Sequence, residues 1–136
     1  MKFRQIDDLT SDTCIEAFGK DLKEVFENSA FGMFSIMCRI KDVKPKKKFM
    51  IEAKAANAQD LLYSWLSQLI ATVDAEEHFF SSFRIKEIDE HHLKAEIAGE
   101  PISSEKGSLG VKAVTMYNFK LEKEKKGYKA TFAIDI

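Results

Sequence analysis

The stretch Val111-Lys112-Ala113-Val114-Thr115-Met116-Tyr117-Asn118-Phe119-Lys120-Leu121-Glu122 decides the fold class, together with the charged turn ending at Gly127 and the return Tyr128-Lys129-Ala130-Thr131-Phe132-Ala133-Ile134-Asp135-Ile136. Successive side chains of an extended chain point to opposite faces. Val111, Ala113, Thr115, Tyr117, Phe119 and Leu121 therefore share one face, and Lys112, Val114, Met116, Asn118, Lys120 and Glu122 share the other. On the return, Tyr128, Ala130, Phe132, Ile134 and Ile136 lie on one side and Asp135 avoids it. The two runs predict an antiparallel hairpin that carries a strand up to the last residue, where chain ends commonly fray unless something ties them down.

Working outward, Phe83 to Ile88 and Leu93 to Ala98 flank the polar connection Asp89-Glu90-His91-His92 and predict a second hairpin. Phe49, Ile51 and Ala53 alternate with Met50, Glu52 and Lys54 as another strand. Shorter strands are expected at Phe3 to Ile6 and Cys14 to Phe18, around the turn Asp8-Leu9-Thr10-Ser11-Asp12. Two stretches have helical spacing instead. Leu22, Val25, Phe26, Ala30, Met33, Phe34 and Met37 form one stripe, started by Asp21 with Glu24 closing a capping box. Leu61, Leu62, Trp65, Leu66, Leu69, Ile70 and Val73 form the other, with Asn57 as cap and Asp60 at the third position. The segment Gly99 to Gly110, rich in Ser, Gly and Lys, reads as a long mobile loop. The expectation is an α+β fold: a single domain over residues 1–136, mostly antiparallel β-sheet with two amphipathic helices.

At 136 residues and 45% hydrophobic content the chain can bury its own core, so any metal would be functional rather than structural. A net charge of -1 provides no overall field for a phosphate backbone, and stable direct nucleic-acid binding is not expected. The run Lys44, Lys46, Lys47 and Lys48 around Pro45 could touch RNA or an acidic partner surface; the competing reading, which the balance of acidic residues favours, is a solvated loop entering a strand. Without aromatic residues in the run, stacking-type RNA recognition has little support. Cys14 and Cys38 have no metal or redox spacing and are expected reduced. No signal peptide or apolar span is found, which gives the expectation of a cytoplasmic protein without membrane attachment. His78, His91 and His92 are expected to be solvated. Phosphate-loop, dinucleotide-binding, nucleophile-elbow and zinc-protease motifs are absent, which lowers the expectation of an enzyme.

Three carboxylates at the chain's two ends form the remaining constellation: Asp12 in the first turn, the penultimate Asp135 and the terminal carboxylate of Ile136. Hard oxygen ligands favour magnesium, manganese or calcium over zinc. Clustered carboxylates also serve phosphodiester cleavage, so a metal-dependent phosphodiesterase is one rival reading, although no nucleophile, base or second-metal ligand set is evident. A chaperone-like binding module is another, carried by the apolar helix faces.

The turn Asp8-Leu9-Thr10-Ser11-Asp12, the stretches Ala17-Phe18-Gly19-Lys20-Asp21-Leu22 and Phe26-Glu27-Asn28-Ser29-Ala30, and Leu61-Leu62 with Trp65-Leu66 occur in a recognisable order. They are followed by Gly99-Glu100, Val111-Lys112-Ala113-Val114-Thr115 and the ending Ile134-Asp135-Ile136. Along its full length the sequence resembles the archease family, small proteins that activate the GTP-dependent tRNA-splicing RNA ligase. The resemblance implies a non-catalytic activator, without a nucleotide of its own, that promotes ligase guanylylation and multiple turnover. It also implies a divalent cation held by Asp12, Asp135 and Ile136, with Lys112 near that site and needed for activation. Leu9, Gly110 and Tyr117 depart from the commoner family pattern, as does the loop before Val111, which lacks a histidine. These departures leave the oxygen ligands intact.

Overall fold

A computed structural model describes residues 2–7, 13–103, 105 and 112–135, the side chains at 7, 116 and 117 excepted. The strands are β1 (Phe3–Asp7), β2 (Thr13–Gly19), β3 (Lys47–Lys54), β4 (His78–Ile88), β5 (His92–Pro101), β6 (Ala113–Glu124) and β7 (Gly127–Asp135). The helices are α1 (Leu22–Met37) and α2 (Ala58–Glu76), with a 3-10 turn at Ile40–Asp42. A four-stranded sheet has the order β1-β2-β7-β6 and a three-stranded sheet the order β3-β5-β4. Every pairing is antiparallel, as the alternation predicts.

Both helices start where their caps predict. The Asp21 carboxylate accepts from the Glu24 amide at 2.8 Å, and Glu24 reaches back to the Lys20 amide at 3.1 Å. Asn57 accepts from the Asp60 amide at 2.8 Å. The helices lie against both sheets: α1 packs on β1, β2 and β7 of one and on β4 of the other, while α2 packs on β6 and on β3, β4 and β5. Enclosure on two sides explains why α1 buries more than its apolar stripe. Ser29, Gly32 and Ile36 are buried as well. Ser29 satisfies its hydroxyl by donating to the Val25 carbonyl at 2.7 Å. On α2, Trp65 is fully buried and its indole N–H donates to the Phe26 carbonyl of α1 at 3.0 Å. On the face of the four-stranded sheet away from α1, Glu16 of β2 pairs with Arg4 of β1 and, at 3.6 Å, with Lys129 of β7. One carboxylate thereby links three strands.

Three expectations are corrected. Gly99, Glu100 and Pro101 belong to β5 rather than to a loop, because Gly99 pairs with Lys47 on one side and Phe80 on the other; residues 104 and 106–111 of that segment lie outside the described residues. The alternation of β6 is not continuous. Its ladder with β7 shifts between Thr115 and Lys120, Asn118 has φ 52°, and the irregularity exchanges faces, so that Val114 is buried and Ala113 exposed while Phe119 is buried. Finally, His78 is buried rather than solvated. Its ring lies edge-on to Phe49 and stacked on Phe80, and Nδ1 sits 2.7 Å from the Glu76 carbonyl.

Cys38 is buried at the end of α1, where its thiol donates to the Phe34 carbonyl at 3.3 Å. Burial pushes its pKa up from 9.0 to about 12. Through that interval the unfolded chain has released a proton that the native chain retains, so this contribution to stability is whole below about pH 9 and is lost as pH rises toward 12. The drop in urea midpoint between pH 8 and pH 10 is therefore expected to be smaller in Cys38→Ala than in the wild type. Equal drops would contradict the burial.

Candidate functional site

Ile134 fixes the end of β7. It is fully buried, opposite Thr13 of β2 and Val114 of β6, so strands on both sides hold it. By alternation Asp135 then points to the other face of the sheet, the face that carries Glu16. The residue is half-buried, and its backbone carbonyl accepts from the Lys112 amide at 2.7 Å as Ala113 pairs beside it. Asp135 and Lys112 are thus brought together at the start of β6. Asp12 and Ile136 lie outside the described residues, as does the turn at 8–12.

Thr115 shares the face of Asp135, two pairs along the same ladder, and its buried hydroxyl oxygen has no hydrogen-bond partner among the described residues. A carboxylate and an orphaned hydroxyl on adjacent strands are hard oxygen donors of the type that suits magnesium or calcium. No cluster of three or more His, Cys, Asp or Glu able to hold a metal occurs among the described residues.

Lys112 is exposed and has no ion pair among the described residues. With Ala113 and Val114 it lines a cavity of about 230 Å³ whose other wall is the face of α2 carrying Tyr63, Ser67, Ile70, Ala71 and Asp74. Sequence reasoning missed this wall. The spacing of Tyr63, Ser67, Ile70 and Asp74 is helical, but only Ile70 belongs to the apolar stripe that dominates α2, and Tyr63, Ser67 and Asp74 flank it. The remaining histidines lie elsewhere, in and beside the β4–β5 turn. His92 lies 3.0 Å from Glu52 and holds that carboxyl below its ordinary pKa, with Lys94 adding to the effect. The amides of His91 and His92 do the same for Asp89 in the β4–β5 turn.

The family model described as the Archease protein family (MTH1598/TM1083) matches residues 3–136. This chain belongs to the archease family. Protein archease of Methanothermobacter thermautotrophicus is 35% identical to it over 141 residues, covering all of both chains. The archease of Sulfurisphaera tokodaii is 33% identical over 132 residues, covering 93% of this chain and 94% of that relative. The solution structure of Methanobacterium thermoautotrophicum protein 1598 superposes with a TM-score of 0.82 at 31% identity, covering 99% of this chain and 97% of that one. The crystal structure of a Thermotoga maritima archease, described there as a possible chaperone, gives a TM-score of 0.71 at 16% identity over 98% and 97% of the two chains, a likeness of fold. The archease fold is thus the α+β arrangement expected from the alternation and the two amphipathic helices. Among the described residues no helix is long and apolar enough to cross a membrane.

Proposed function

We propose that this chain is an accessory factor that activates a GTP-dependent tRNA-splicing RNA ligase, promoting guanylylation of the ligase's active-site histidine and multiple turnover. In this reading a divalent cation is held by Asp12, Asp135 and the terminal carboxylate of Ile136. The observation that carries it is the register at the end of β7. Thr13 lies opposite Ile134, so residue 12 is one peptide link from Thr13, and residues 135 and 136 are one and two links from Ile134.

Each group then has a part. The ladder to β6 pairs Asp135 with Ala113, and the ladder to β2 ends one residue earlier at Ile134, so the backbone of Asp135 is held and its carboxylate needs little ordering to act as a ligand. Lys112 leaves the adjacent backbone with an ammonium that has no ion pair among the described residues and would meet an anionic group of the partner. A bound divalent cation supplies positive charge against a phosphoryl group in transfer. Family membership supports the accessory role over the phosphodiesterase reading.

The test is guanylylation and multiple-turnover ligation by the ligase with limiting activator. Asp12→Ala and Asp135→Ala are each expected to lower stimulation at least about tenfold, the scale on which disturbing a metal site acts. Lys112→Ala is expected to lower stimulation while leaving cation affinity intact. Stimulation equal to wild type in both aspartate variants would remove the proposed role.

A further inference from the structure

From Arg39 to Lys48 the chain carries six cations, Arg39, Lys41, Lys44, Lys46, Lys47 and Lys48, against the single carboxylate of Asp42. The overall charge of -1 conceals this concentration. All six side chains are exposed, and among the described residues none is in an ion pair.

The segment is held in place. Ile40 and Val43 anchor it in the core at 8% and 4% exposure. The Asp42 and Val43 amides donate to the Arg39 and Ile40 carbonyls. The Lys44 amide donates to the carboxylate of buried Glu100 at 2.9 Å, and the Lys46 amide donates to the Gly99 carbonyl at 3.0 Å. Like charges repel, and an unpinned run would spread them. Here two anchors in the core and two backbone clamps to β5 fix the backbone that carries them, with Lys47 and Lys48 on opposite faces of β3, so the ordering cost of binding a polyanion is met in part by folding.

We propose that this surface docks the phosphate backbone of RNA. Lysine is depleted at protein–protein interfaces, whereas nucleic-acid interfaces are much more positively charged, and five of the six cations are lysines. No aromatic residue occurs in the segment, and the nearest, Phe49, lies beneath the Lys47 ammonium at 5.1 Å. Base stacking is therefore no part of the contact, which depends on charge and carries no sequence preference. Such binding is weak and salt-sensitive, in keeping with a chain that has no overall positive field. It stands apart from the ligase reading, since its test needs neither ligase nor divalent cation.

The experiment is fluorescence anisotropy of a labelled single-stranded RNA titrated with the full chain at about 50 to 200 mM salt. If four lysines each meet a phosphate, the fourfold rise in salt weakens binding roughly 50-fold. Combining Lys44→Ala, Lys46→Ala, Lys47→Ala and Lys48→Ala is expected to weaken binding at least tenfold at low salt with an unchanged melting curve. The corresponding four arginine substitutions, and Lys123→Ala with Lys125→Ala and Lys126→Ala in the β6–β7 turn region, should leave it near wild type. Undiminished binding by the four-alanine variant, absence of salt dependence in the wild type, or tighter binding to poly-glutamate than to RNA would each overturn the proposal, the last in favour of an acidic protein surface.

Discussion

Trp65→Ala is expected to cost about 4 kcal/mol of stability and to lower the melting temperature by roughly 14 °C. The indole is fully buried on α2, so removing it deletes a large apolar group where both sheets confine the helices and collapse is restricted. The Phe26 carbonyl also loses its indole donor. Trp65→Phe separates the two contributions: it keeps most of the packing and removes the donor, and should cost about 1–2 kcal/mol. Urea denaturation of both variants is the check. A loss below about 1 kcal/mol for the alanine variant would contradict the enclosed position of Trp65.

The second large effect is at Gly99. A methyl group built there would lie 1.8 Å from the Phe79 carbonyl oxygen and 2.8 Å from the Cα of Phe80, both backbone atoms. Strand β5 is central in its sheet, so the neighbouring backbone cannot withdraw without breaking the ladder to β4. Gly99→Ala is therefore expected to cost about 3 kcal/mol or more, or to prevent folding. Gly32→Ala is the comparison. Its methyl would meet the Phe3 ring at 3.0 Å and the Ile15 side chain at 3.3 Å, side-chain rather than backbone atoms, and the gain in helix propensity of about 1 kcal/mol offsets part of the crowding. Similar melting curves for the two variants would show that backbone contact at Gly99 is not what restricts it.

Much of the fold was legible because its signals are local. Period-two alternation marked the strands, Asp21 and Asn57 marked the helix starts, and Asp89 to His92 marked a hairpin. The division into two sheets was not legible, since which strands become neighbours depends on long-range packing around the helices. For the same reason the stripe read on α1 does not include Ser29 and Gly32, which are buried because α1 is enclosed by both sheets, Gly32 facing Phe3 and Ile15 of the four-stranded one. The face exchange in β6 arises at the irregularity around Asn118, a position with no glycine to announce it. His78 looked like a residue just past a helix, but strand β4 begins there and draws its ring against Phe49 and Phe80. At the candidate site, alternation correctly turned Asp135 away from Ile134, but the pairing that brings Lys112 to it needed the ladder between β6 and β7.

Calorimetric titration of the full chain with calcium, magnesium and manganese tests the central claim most directly. One divalent ion should bind per chain, and Asp12→Asn and Asp135→Asn should each weaken it at least about tenfold while the cation-free melting temperatures stay near wild type. Equal cation affinity in the wild type and both variants would contradict a site built on those carboxylates.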